Sequence, residues 1–284
     1  MDSGIQPTAF TSARITGAAL IFGIWIFFSN RSFFRPPRGR ELIDIALLGI
    51  FGVLLVQLGY NIALTRLEVG IALLLEYLAP VWVVIWVRFA RKEPVRNRMW
   101  FAVTMAIIGM AIVGQVWQGL IFDLVGVIAA LVAGFAFAIY FVLGETNINR
   151  SDPLFVIFWS FTVAAVLMNI IWPPWGEINW SASANMQGPF AAINLPVWIL
   201  MIWVCVAGTV IPFFLQLKAL HFIPPTMVTL VAMLEPVAAI ILGWLWFDEI
   251  LAFTQIIGAI IILIAIMLAQ SARIKQPADL PTPN

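Results

Sequence analysis

Charged residues, histidine and cysteine are all scarce in this chain. Asp, Glu, Lys and Arg make up 10% of the 284 residues, apolar residues make up 63%, and the mean hydropathy is +1.03. This composition excludes an ordinary soluble domain and predicts a protein whose main solvent is lipid. The single cysteine, Cys205, cannot form an intramolecular disulfide, and the single histidine, His221, cannot supply a multi-histidine zinc site.

The sequence also lacks the motifs of several energy-converting membrane machines. No run of glycines followed by Lys and Ser or Thr is present to hold nucleotide phosphates. Lys218, the candidate lysine for a retinal Schiff base, lies at the end of a predicted helix. We therefore predict no cofactor and no metal, and we expect the energy for any transport to come from gradients or from the solute itself.

Long apolar stretches separated by short polar gaps dominate the chain. A bilayer core of about 30 Å needs roughly 20 apolar residues per helix. The sequence supplies nine such stretches, and none shows the strict alternation of a barrel strand. We predict an all-α, polytopic membrane helix bundle with transmembrane helices at 13–30, 42–64, 67–89, 99–117, 122–144, 153–172, 195–217, 222–247 and 251–271.

The Lys and Arg residues predict the orientation of the bundle, because basic residues in short loops remain on the cytoplasmic side. If the first span runs from outside to inside, thirteen of the fifteen basic residues fall inside, and only Arg14 and Arg66 fall outside. The sequence thus predicts an external segment 1–12, a cytoplasmic tail 272–284 and a multi-pass protein of the cell membrane. The basic runs are topology signals, so a nucleic-acid partner is not expected.

An internal repeat appears when the chain is shifted by 156 residues. Gly52 then aligns with Gly208 (208 − 52 = 156), and Leu78-Ala79-Pro80 aligns with Leu234-Glu235-Pro236. Glu93 aligns with Glu249, yet the predicted topology puts the first in a cytoplasmic loop and the second in an external one. The two copies are therefore predicted to be inverted in the membrane, with five spans in each complete repeat.

Three motifs in this order resemble the drug/metabolite transporter superfamily, in particular its EamA-type members. They are Ser12-Ala13-Arg14, the stretch 64–81, and the stretch 219–249 with Leu234-Glu235-Pro236-Val237 and Asp248-Glu249. The resemblance covers the chain from Thr8 onward and implies ten helices in two repeats. It divides the chain into a truncated first repeat, 13–117, and a second repeat, 122–271. The nine predicted spans are one fewer than the ten that the resemblance implies. Either a first helix is absent from this sequence, or the protein is a functional nine-helix variant.

Two carboxylates lie deep inside predicted spans, where an unpaired charge costs several kcal/mol. Glu76 lies about nine residues into the span 67–89, and Glu235 lies near the middle of the span 222–247. The repeat pairs Glu235 with Ala79, which is one helical turn from Glu76, so both acids are expected to face one central cavity. We predict that they bind protons or solute. The structural alternative for Glu235 is a hydrogen bond to backbone groups freed at Pro236.

Further polar residues and prolines inside the spans are candidates for the lining of the cavity. Each hydroxyl or amide could instead form a helix-to-helix hydrogen bond, and each proline could merely bend a helix. Thr226 is another polar residue inside a predicted span. The predicted lining consists of Gln57, Tyr60, Asn61, Tyr77, Pro80, Tyr140, Thr209, Gln216, Thr229 and Pro236.

These features predict a secondary-active transporter that works by alternating access in the lipid bilayer, with the proton as candidate coupling ion. The resemblance implies export of small metabolites such as amino acids or of amphipathic compounds. The alternative is a membrane-embedded enzyme or scramblase acting on lipid-linked substrates, for which Glu68 beside Arg66 would be the acid and the phosphate binder. An inverted repeat favours the transporter, since it provides for alternating access. The sequence does not indicate an oligomeric state.

Overall fold

The computed structural model describes residues 6–67, 69–117, 123–174, 176, 178–185, 193–247 and 252–271. Nine helical runs, a short 3-10 helix at Arg31–Phe34 and one two-stranded hairpin make up the regular structure in this part of the chain. The runs are α1 (Pro7–Ser29), α2 (Arg40–Leu64), α3 (Val69–Ala90), α4 (Asn97–Val113), α5 (Leu124–Ile148), α6 (Pro153–Ile171), α7 (Val197–Ala219), α8 (Pro225–Ala232 with Leu234–Phe247) and α9 (Phe253–Ser271).

Six of these runs, α1, α2, α3, α5, α6 and α7, are long and apolar enough to cross a membrane, and the other three are shorter apolar helices. The protein is thus a polytopic helical membrane protein. The predicted boundaries need three corrections. α5 ends at Ile148 instead of at 144. α1 begins at Pro7, so residues 7–12 of the predicted external segment are helical, because proline is well suited to the first turn. α4 ends at Val113 instead of at 117, before the small residue Gly114.

Aspartates begin two of the helices and explain where they start. The side chain of Asp123 accepts the backbone N–H of Gly126 at 2.8 Å at the start of α5. Asp152 accepts the backbone N–H of Leu154 at 2.8 Å before Pro153, the first residue of α6. Each carboxylate satisfies a backbone donor that has no partner inside the helix.

Four of the runs are interrupted at positions that the predicted repeat pairs, whereas a further π-helical turn at the end of α3, Trp86–Ala90, has regular α-helix at the corresponding positions of α8. π-helical turns occupy Leu48–Leu54 in α2 and Val206–Val210 in α7; adding 156 to the first range gives 204–210, which contains the second. The α-helix of α3 stops at Glu76, and that of α8 breaks at Met233. Pro80 and Pro236 come within three residues after these breaks. Each proline lacks the backbone N–H that would bond the carbonyl oxygen four residues earlier, which explains why the helix breaks there.

Small residues at every fourth position of α5, which are Gly126, Ala130, Gly134 and Ala138, let α5 pack closely against α2 and α3. A Cβ on Gly134 would lie 2.6 Å from the carbonyl oxygen of Leu75, and one on Gly59 would lie 2.8 Å from that of Ala129. α4 and α9 cross in the same manner at Gly109 and Gly258. Close backbone approach of this kind is typical of helix packing in membranes.

The π-helical turns of α2 and α7 have different surroundings. A Cβ on Gly52 would lie 2.9 Å from the Cα of Tyr140, because α5 crosses α2 at this point. Gly208, its partner in the predicted repeat, is exposed, and a Cβ there would meet only Val204 of its own helix, at 3.8 Å. In the described residues, the face of α7 around Gly208 is therefore open.

The ion pairs between the described residues lie at the two ends of the bundle. At the end predicted to be cytoplasmic, Arg150 binds Asp44 at 2.9 Å and Arg91 pairs with Glu145, so α2 and α3 are joined to the region around the α5–α6 turn. At the other end, Arg66 binds Asp123 at 3.2 Å.

An antiparallel hairpin of β1 (Ser183–Asn185) and β2 (Asn194–Pro196) lies between α6 and α7. Its neighbouring residues Ile178 and Val197 pack with Ala9 and Ala13 of α1. The hairpin region therefore lies on the first turns of α1.

Candidate functional site

The broken turns of α3 and α8 are joined by a direct hydrogen bond. The hydroxyl group of Tyr77 donates to Oε2 of Glu235 at 2.8 Å. Tyr77 is 3% exposed and lies at the break in α3, whereas Glu235 is exposed and lies two residues after the break in α8. This bond links two segments 158 residues apart in the sequence, one in each predicted repeat.

Glu76 lies beside this bond and is 9% exposed. Its charge interacts with those of Glu235 and Arg14, and Tyr60 interacts electrostatically with all three. We call Arg14, Tyr60, Glu76, Tyr77 and Glu235 the charge cluster. It draws its members from α1, α2, α3 and α8 at the depth of the apolar spans, where a low dielectric strengthens every charge–charge interaction.

Arg14 is held to the π-helical turn of α7. Its Nε donates to Oγ1 of Thr209 at 2.6 Å, and its Nη2 donates to the carbonyl oxygen of Gly208 at 2.7 Å. Thr209 is fully buried. A π-helical turn leaves carbonyl groups without the usual partner four residues on, and such turns occur frequently at functional sites. The arginine thus satisfies backbone that the interruption of α7 exposes.

Sequence reasoning missed Arg14 as a site residue. The prediction started the first span at 13 and counted Arg14 as an external topology signal. The helix in fact begins at Pro7, so Arg14 lies seven residues inside it (14 − 7 = 7), or roughly 10 Å along its axis. A signal was available, because an arginine flanked by apolar helix is a candidate functional residue by default.

The structure brings together four of the predicted residues, Tyr60, Tyr77, Glu76 and Glu235, and places Thr209 against the cluster through Arg14. Pro80 and Pro236 are buried and follow the helix breaks.

The remaining predicted residues lie outside these contacts. Tyr140 donates to the carbonyl oxygen of Phe213 at 2.7 Å within a buried aromatic group. Asn61 donates to Gln57 O at 2.7 Å and Thr229 to Pro225 O at 2.9 Å, each within its own helix. Gln57 and Thr226 are buried. Oε1 of Gln216 is buried without a hydrogen-bond partner among the described residues.

A separate groove of about 710 Å³ lies between α1 and α6. It is lined mainly by apolar side chains, with Thr16, Thr162 and Asn169 among them, and Asn169 donates to Oγ1 of Thr16 at 2.7 Å. No member of the charge cluster lines it. We therefore locate the candidate site at the charge cluster and not at this groove.

The fold is that of a multi-pass helical membrane protein with charged residues inside its apolar helices. The chain belongs to the EamA-like transporter family, whose model matches residues 1–115 and 124–270, and the resemblance seen in the sequence is thereby confirmed. Members of this family are transporters and not enzymes.

Several curated relatives match most of the chain. An uncharacterized transporter of Archaeoglobus fulgidus is 26% identical over 90% of this chain and 85% of its own length. The transporter YdfC of Bacillus subtilis, also uncharacterized, is 25% identical over 80% of this chain and 71% of its own. The threonine/homoserine exporter RhtA of Escherichia coli K12 is 29% identical over 87% of this chain and 78% of its own. A crystal structure aligns with a TM-score of 0.75 at 17% identity, covering 94% of this chain and 88% of its own, which supports the fold alone.

Proposed function

We propose that this protein exports small polar metabolites, amino acids first among them, by alternating access of the charge cluster to the two sides of the membrane. The hydrogen bond between Tyr77 and Glu235 carries the proposal, because it joins interrupted helices that come from the two predicted repeats. The similarity to threonine/homoserine exporters supports amino acids as the solute class.

The positions of the interruptions support rocking of two inverted halves. π-helical turns in α2 and α7 and breaks in α3 and α8 occur at positions related by 156 residues. The family model also matches the chain in two parts, one on either side of residues 116–123. Discontinuous helices at the interface of two repeats are where transporters of this kind bind solutes. Nine spans, with the N-terminus outside and the C-terminus in the cytoplasm, remain part of this proposal.

Charge arithmetic within the cluster supports proton coupling. With both carboxylates ionised, Glu76, Glu235 and Arg14 sum to a net charge of −1 in a low-dielectric site, which is costly. One added proton neutralises the cluster. The ammonium group of an amino acid pairs with the same carboxylates, so a proton and the solute compete for them, and entry of a proton on one side favours release of the solute on that side.

The alternative of an enzyme or scramblase for lipid-linked substrates loses its phosphate binder. Arg66 is engaged by Asp123 at 3.2 Å at the helix ends. Glu68, the proposed acid partner, lies outside the described residues. The described polar groups converge instead at the charge cluster, inside the bundle.

The test is transport by proteoliposomes that contain the full chain. A panel of labelled amino acids is offered under an imposed pH gradient, and gradient-dependent accumulation is expected for at least one of them. Glu76→Gln keeps the shape of the side chain but cannot exchange a proton, so accumulation should fall to the level of protein-free liposomes. Glu93→Gln, which changes an exposed acid outside the spans, is the matched control and should transport normally. Unchanged pH-driven accumulation in Glu76→Gln would refute the coupling role.

A further inference from the structure

Arg14 is a cation inside an apolar helix, and the residues that hold it are neutral. It donates to a threonine hydroxyl and to a backbone carbonyl. Among the described residues, no carboxylate oxygen lies within the 4.0 Å of an ion pair with its guanidinium group. The hydrogen bonds fix the side chain in place but leave its charge without a counter-ion in contact. Charges in such positions usually pair or serve a substrate path.

The guanidinium group also has donors left over. Arginine carries five N–H groups in a rigid fork, and the hydrogen bonds found within the described chain use one on Nε and one on Nη2. The fork is planar and matches a carboxylate with two parallel hydrogen bonds. Arg14 is only half-buried, and its acceptor Gly208 is exposed. A small molecule can therefore reach the group while Thr209 holds it.

The acids of the charge cluster complement Arg14 in charge. Glu76 and Glu235 both act on Arg14 through their charges, yet neither forms an ion pair with it. The cluster thus contains a positive group and negative groups that do not close into an ion pair. A zwitterion satisfies both kinds of group at once, with its carboxylate at Arg14 and its ammonium group at the two acids.

We propose that Arg14 binds the carboxylate of the transported solute, so that the transporter selects α-amino acids over the corresponding amides and amines. This inference rests on the proposed transport function and specifies the chemistry that its site recognises. An amine that lacks a carboxylate meets the uncompensated charge of Arg14 and is disfavoured. The opposing explanation is structural, in that Arg14 merely fastens α1 to α7.

The test measures competition in proteoliposomes under the pH gradient. Accumulation of labelled L-threonine is inhibited with unlabelled L-threonine or with L-threoninamide, which keeps the ammonium group and lacks the carboxylate. For the natural sequence we expect the amide to inhibit about 10- to 100-fold more weakly, as the loss of a charge-assisted bidentate contact implies. In Arg14→Gln the affinity for threonine should fall by a similar factor, and the preference over the amide should disappear.

Two further variants separate recognition from structure. Arg14→Lys keeps the charge but not the fork, so an intermediate preference is expected. Arg66→Gln removes an arginine outside the cluster and should keep the full preference.

Three results would overturn the inference. The first is an Arg14→Gln protein that is still inhibited more strongly by threonine than by threoninamide. The second is an Arg14→Gln protein whose affinities for threonine and for threoninamide fall by the same factor. The third, which applies even if the Arg14 variants do not fold, is equal inhibition of the natural sequence by threonine and threoninamide. Failure of every amino acid in the panel to accumulate would overturn the transport proposal as well, so the two failures are distinguishable.

Discussion

Gly134 lies where α5 crosses the break in α3, and replacing it by alanine should loosen the bundle at the charge cluster. The added Cβ would lie 2.6 Å from the carbonyl oxygen of Leu75 and 2.8 Å from that of Glu76. Ordinary contacts of this kind begin at 3.4 Å, so one backbone must move by up to 0.8 Å (3.4 − 2.6 = 0.8). Neither neighbour is a flexible side chain that could turn away.

The expected cost follows from this overlap. Overpacking of a close-packed interior costs about 1–3 kcal/mol, and the higher helix propensity of alanine returns up to about 1 kcal/mol. A net loss of about 1–2 kcal/mol should lower the unfolding temperature by about 2–8 °C. Movement of the α3 backbone would also displace Glu76, so amino-acid accumulation should fall together with stability.

Cys205 provides the assay. It is the single cysteine of the chain and is 2% exposed, so a maleimide that fluoresces on reaction labels the protein as it unfolds. Gly208→Ala is the matched control for stability, because a Cβ there meets nothing closer than 3.8 Å and alanine favours the helix. The control should unfold at the natural temperature or above it. If Gly134→Ala unfolds no earlier than the natural sequence, the close crossing of α5 and α3 is wrong.

Two other changes test single contacts. Tyr77→Phe removes the hydroxyl that donates to Glu235 at 2.8 Å; we expect a loss of about 1–2 kcal/mol in the same labelling assay, and an unchanged unfolding temperature would argue against the bond. At the start of α5, the backbone N–H of Gly126 and then the guanidinium group of Arg66 hold the pKa of Asp123 below its usual value. The ionised carboxylate of Asp123 therefore stabilises the fold at pH values above the ordinary pKa of aspartate. This stabilisation is lost as the pH falls through the lowered pKa of Asp123 in the folded protein. Asp123→Asn, which remains an N-cap, should differ from the natural sequence near neutral pH and converge with it in acid, and a constant difference would contradict this.

Much of the fold could be predicted from local sequence. Apolar stretches of about 20 residues have few alternatives in a bilayer, because an unsatisfied backbone group there is costly. Pro80 and Pro236 indicated either a local break or a bend, since proline removes a donor wherever the chain takes it, and the structure has breaks near both, at Tyr77 and Met233. Glu76, Tyr77 and Glu235 were predicted as site residues because polar groups are rare in such spans. Helix ends were predicted less accurately, and the start of α1 at Pro7 places Arg14 two turns inside the helix instead of at its end.

Which polar groups meet was decided by the tertiary structure. Tyr140, Asn61 and Thr229 are as polar as Tyr77, yet they bond Phe213 or their own helices, whereas Tyr77 reaches Glu235. The partners of Arg14 lie 194 and 195 residues further along the chain, in a π-helical turn that hydropathy does not reveal.

The sequence by itself determined that this chain lies in the membrane as a helix bundle and which polar residues lie within its apolar stretches, because both follow from residues near one another. Only the tertiary structure decided that Arg14, Tyr60, Glu76, Tyr77 and Glu235 form one cluster. Contacts between distant helices depend on how closely small residues such as Gly134 let the backbones approach, and on that scale a shift of one ångström makes or removes a hydrogen bond.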